Sequence, residues 1–89
     1  MGDVAATIKI MPEGVDTNLE ELKDKLIASL PEGAEYGTHK EEPIAFGLKA
    51  LIMVVIVGDL EGGTESVEQA FAAVSGVESV TVTEVGRPI

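Results

Sequence analysis

From Leu48 to Val57 the chain is apolar at every position except Lys49, and the run ends at Gly58-Asp59. A short apolar stretch rich in branched side chains predicts a strand buried on both faces, in the middle of a sheet. The pattern before it is different. Val4, Ala6, Ile8 and Ile10 alternate with Ala5, Thr7, Lys9 and Met11, which predicts a strand with one apolar face, closed by Pro12-Glu13-Gly14. Leu19, Leu22, Leu26 and Leu30 then recur at helical spacing, with Ile27 widening the stripe and Glu20, Glu21, Lys23, Asp24 and Lys25 on the wet side. Thr17 followed by Glu20 predicts a capping box, Asp16 adds charge of the favourable sign, and Pro31 and Gly33 end the helix.

Glu35 to Glu42 predicts a polar edge strand with Tyr36, Thr38 and Lys40 on one face and Gly37 and His39 on the other. Pro43-Ile44-Ala45-Phe46-Gly47 is not expected to continue it, because Pro43 lacks a donor and Gly47 is a hinge. Phe46 is therefore expected on a loop at the end of the most rigid strand, as a plug for the local core or a probe for a partner. Beyond Gly62-Gly63, Thr64 or Ser66 caps a second helix whose stripe is Val67, Ala70, Phe71 and Val74, stopped by Gly76. Val77 to Val85 alternates again, with Val80 and Val82 opposite Ser79, Thr81, Thr83 and Val85.

The order is strand-helix-strand-strand-helix-strand. It predicts a ferredoxin-like α+β fold, a two-layer sandwich with a four-stranded antiparallel sheet and both helices on one face. The first and third strands take the centre. If Ile52, Val54 and Ile56 face the helices, then Leu51, Met53, Val55 and Val57 face outward beside Ala5 and Met11. That would leave an apolar contact patch, or a surface covered by loops and the stems of Lys9 and Lys49.

Composition narrows the function. At 89 residues one domain, 1–89, is expected. The net charge of −10 would repel a phosphate backbone, so direct nucleic-acid binding is not expected. No apolar run is long enough for a membrane helix, and Met1-Gly2-Asp3 does not begin a signal peptide, so a cytoplasmic location off the membrane is expected. Cysteine is absent, which removes disulfides, thiolate metal sites and cysteine nucleophiles. His39 is the only histidine, and Gly62-Gly63-Thr64 lacks the Lys of a phosphate-binding loop. No catalytic residue is assigned, no cofactor is required, and a module that touches another protein is favoured over an enzyme. Between Ala50 and Gly86 stand Asp59, Glu61, Glu65, Glu68, Glu78 and Glu84 with no Lys or Arg among them. They form a solvated acidic face or a surface for a basic partner, and they are the candidates for a weak calcium or magnesium site.

The stretch Pro43-Ile44-Ala45-Phe46-Gly47-Leu48-Lys49-Ala50-Leu51 resembles the elongation factor 1-beta family in its short archaeal form. Eukaryotic members carry a Pro–aliphatic–small–aromatic–Gly–aliphatic–Lys run there, leading into a central strand. The resemblance extends over the whole chain. It implies a guanine-nucleotide exchange factor for the GTPase elongation factor 1-alpha. It implies that Phe46, with Gly47 and Lys49, and the carboxyl terminus with Arg87 and Ile89, work at the partner's nucleotide site. Eukaryotic members have Lys as the penultimate residue, whereas Pro88 stands there in this chain, one step after Arg87. The competing expectation is a non-catalytic module that binds protein or a small ligand, with Phe46 as core filler.

Overall fold

Alternation in the first strand is translated directly into burial: Ala6, Ile8 and Ile10 are buried, while Ala5, Thr7, Lys9 and Met11 are half-buried on the other face. The computed structural model describes residues 4–57 and 64–86. Its elements are β1 (Val4–Pro12), α1 (Leu19–Ala28), β2 (Ala34–Ala45), β3 (Leu48–Val57), α2 (Glu65–Ala72) and β4 (Val77–Gly86). The strands form one antiparallel sheet in the order β2-β3-β1-β4. The fold is the expected ferredoxin-like α+β sandwich, with the two most apolar strands at the centre.

Register decides which face of β3 is inside. Ile8 pairs with Met53 and Ile10 with Leu51, so the inward residues of β1 place Leu51, Met53, Val55 and Val57 against the helices. This reverses the assignment that put Ile52, Val54 and Ile56 inside. One core joins these residues to Leu22 and Leu26 of α1 and Val67 and Phe71 of α2. Both helices therefore cover the same side. Truncating the fully buried Phe71 to Ala would remove about 3–5 kcal/mol.

The outward face is not a broad apolar patch. Ile52 lies between Lys9 and Lys40, Val54 between Thr7 and Thr38, and Ile56 between Ala5 and Glu35. Ile52 is only 8% exposed although it lies outside the core cluster. Flanking lysine stems explain this, since long charged side chains cover apolar neighbours while keeping their ammonium groups wet. Lys40 takes the place expected of Lys49, which faces the helix side with Glu41.

Three local details depart from the sequence expectations. Asn18, not Thr17, caps α1: its side-chain oxygen accepts from the amides of Glu20 and Glu21 at 3.0 and 3.1 Å. In β2, Tyr36 pairs with Val55 and His39 with Met53, with a register shift at Gly37. The extra residue puts Tyr36 and His39 on the same, helix-facing side, where the Tyr36 hydroxyl and His39 Nδ1 share a hydrogen bond. A Cβ at Gly37 would stand 2.9 Å from the Val54 carbonyl oxygen, so only glycine fits there. Finally, β2 does not stop before Pro43 but runs to Ala45. Pro43 is tolerated because β2 is an edge strand.

Candidate functional site

The β2–β3 hairpin ends in a two-residue turn. Ala45 pairs with Leu48, and Phe46 and Gly47 between them both have positive φ, 53° and 83°. Two left-handed residues in a two-residue hairpin define a type I′ turn, whose twist matches the strands and whose usual occupants are Asn-Gly or Gly-Gly. Gly47 meets that requirement. Phe46 does not, and among the described residues it alone is non-glycine with positive φ. A bulky side chain held there stores roughly 1–2 kcal/mol.

No packing against the described residues offsets that strain, because Phe46 is 101% exposed; the hairpin pairing of Ala45 with Leu48 holds the turn instead. The ring is presented entirely to solvent at the tip of a hairpin anchored in the central strand. Core filling is thereby excluded. Beside it Ile44, at the register shift between Pro43 and Ala45, is 41% exposed. Lys49 is the second residue of β3, one step past the turn, its Nζ 3.9 Å from Glu41 Oε1 with both side chains about half exposed. Such a pair contributes little to stability and leaves the ammonium available. Phe46, Gly47 and Lys49 are thus gathered at one end of the sheet.

A depression of about 310 Å³ adjoins this tip on the helix side, lined by Pro12, Gly14, Val15, Leu19, Gly47 and Lys49 among others. Val15 in its wall is 60% exposed. Sequence reasoning passed over Val15; its one signal was an apolar residue set between Gly14 and Asp16 in an otherwise polar loop.

Arg87 and Ile89 lie outside the described residues, but Gly86 before them pairs with Ala5. Ala5 pairs with Ile56, at the far end of β3 from Leu48. That separation is about 30 Å at the usual rise per strand residue. The hairpin tip and Gly86 therefore stand at opposite ends of the sheet.

The carboxylates are dispersed. Asp59 and Glu61 lie outside the described residues. Glu65 and Glu68 belong to α2, where the Thr64 hydroxyl donates to Glu68 Oε2 at 3.1 Å, and Glu78 and Glu84 stand toward opposite ends of β4. Among the described residues no three acidic or imidazole groups converge as metal ligands would. No described helix is long and apolar enough to cross a membrane.

The family model described as "EF-1 guanine nucleotide exchange domain" matches residues 5–87. The chain is 71% identical over 89 residues to elongation factor 1-beta of Methanococcoides burtonii, covering 100% of both chains. It is 65% identical over 88 residues to elongation factor 1-beta of Methanosarcina barkeri, covering 98% of this chain and 99% of that one. Over 87 residues it is 53% identical to elongation factor 1-beta of Methanothermobacter thermautotrophicus, with 98% of each chain covered.

Proposed function

The chain belongs to the elongation factor 1-beta family, and on that premise we propose that it accelerates GDP release from elongation factor 1-alpha with Phe46 as its lever. Its domain is a guanine-nucleotide exchange domain with a role in translation elongation. The partner and the part played by each residue are our reading. The observation that carries it is a fully exposed Phe held in a left-handed turn, where its ring packs on none of the described residues.

The mechanism is linkage. A GTPase that holds GDP at nanomolar affinity presents about 12 kcal/mol to be undone. A protein that binds the empty form more tightly than the filled one expels the nucleotide by the same coupling free energy. A 10³-fold acceleration requires roughly 4 kcal/mol of differential stabilisation. Burying the Phe46 ring supplies about 1.5–3 kcal/mol of that. Little entropy is lost on docking, because the tight turn already fixes its direction. The remainder falls to the opposite end of the sheet, where Arg87 follows Gly86. A guanidinium beside a bound nucleotide would pair with its phosphates or with a carboxylate that holds magnesium. In this reading the whole chain acts as one exchange unit in the cytoplasm. It requires no cofactor of its own, with at most a weak divalent cation on its carboxylates.

Elongation factor 1-alpha loaded with a fluorescent GDP analogue tests the proposal. Adding this protein with excess unlabelled nucleotide should speed the loss of signal, and Phe46→Ala should lower the rate while the thermal melt is preserved. An unchanged release rate with the unsubstituted protein would refute the exchange reading.

A further inference from the structure

Among the described residues four large apolar side chains stand exposed: Val15, Ile44, Phe46 and Val85. Three of them belong to the hairpin end, and Val15 lines the same depression as Gly47, the neighbour of Phe46 in the turn. Val15 is held outward by a tied loop. The Glu13 amide donates to the Gly76 carbonyl at 3.0 Å, and the Thr17 amide donates to the Gly14 carbonyl at 3.2 Å. The N-cap at Asn18 secures the far side. An exposed apolar group on a preorganised loop beside another is the arrangement of paired anchors in an interface. The surroundings are acidic: Glu13 and Asp16 stand on either side of Gly14-Val15, Glu20 and Glu41 line the depression, and the one base lining it, Lys49, is drawn to Glu41.

We propose that Val15 is a second anchor that meets an apolar side chain of the partner GTPase, and that the largely polar depression beside it, lined by Thr17, Asn18, Glu20, Glu41 and Lys49, receives a neighbouring lysine or arginine of that partner. The proposal rests on the exchange reading above and extends it to a loop and a chemistry which that reading leaves out. The acidic rim selects the basic neighbour by charge complementarity. A second copy of this chain is disfavoured as occupant, since its rim has the same sign and the net charge is −10.

Binding to nucleotide-free elongation factor 1-alpha tests it, with the unsubstituted protein, Val15→Ser, Val15→Leu and Phe46→Ala compared at low and high salt. Val15→Ser should weaken binding roughly tenfold, a fraction of what full burial of a Val contributes. Val15→Leu keeps the apolar surface and should stay within about threefold, and the Val15→Ser melt should match the unsubstituted protein because the side chain is exposed. Added salt should weaken binding. If Val15→Ser binds normally while Phe46→Ala is impaired, the second anchor is overturned and the exchange reading stands. Salt-independent binding overturns the basic neighbour. Should Val15→Ser instead turn a sedimenting dimer of the isolated protein into a monomer, the occupant is a second copy and the proposal fails. If the unsubstituted protein neither binds the partner nor releases its GDP, both readings fall together.

Discussion

Replacing Phe46 by Asn should make the protein more stable and less active at once. The side chain is fully exposed, so no packing is lost. Its backbone has φ of 53°, which Asn adopts far more readily than Phe. Left-handed backbone costs an ordinary L-residue about 1–2 kcal/mol, and Asn should recover on the order of 1 kcal/mol of it. Gly would relax the turn fully but adds freedom to the unfolded chain, so Asn is the cleaner probe. For a domain of this size, 1 kcal/mol corresponds to a rise in Tm of about 4–8 °C. Exchange should move the other way. Without the 1.5–3 kcal/mol of ring burial, release should slow roughly ten- to hundredfold. Circular-dichroism melts at fixed protein concentration read the first effect, and stopped-flow release of labelled GDP from elongation factor 1-alpha reads the second. A Tm that falls by several degrees would show that Phe46 packs in the fold. A release rate within twofold of the unsubstituted protein would show that the ring is no lever.

Other consequences follow from the same geometry. Removing Arg87-Pro88-Ile89 should reduce the maximal release rate more than the affinity; because Gly86 stands about 30 Å from the hairpin tip, its effect should add in free energy to that of Phe46→Ala, and equal maximal rates with and without the tail would show it idle. Asn18→Ala should lower stability by about 1 kcal/mol through loss of the cap, whereas Thr17→Ala should change it by less than about 0.5 kcal/mol; urea titrations that rank them the other way would return the cap to Thr17. Calcium titrated into isotope-labelled protein should saturate at a few carboxylates if the acidic second half holds a cation, and uniform, non-saturating shifts would leave only counterion screening.

Element type and order were legible in the chain because each segment carried a period that only one kind of structure satisfies. Leu22 and Leu26 at helical spacing, Ile8 and Ile10 two apart, and the unbroken run after Lys49 each specify an element and its place in the layers. The resemblance around Phe46 likewise marked the residues that the fold gathers at the hairpin tip. What the chain left open were the features that depend on counting residues between elements. Both faces of Leu48–Val57 are apolar, so nothing local says whether Met53 or Ile52 is inside. The pairing of Ile8 with Met53 decides it, and a slip of one residue would reverse every side chain. A single extra residue at Gly37 moved His39 to the same side as Tyr36. Phe-Gly is not a dipeptide that announces a type I′ turn, and only the closure of Ala45 on Leu48 forces Phe46 into left-handed backbone. The distance between Phe46 and Gly86 is a tertiary fact as well. Antiparallel strands send the two to opposite ends of the sheet, and no property of either segment alone contains that separation.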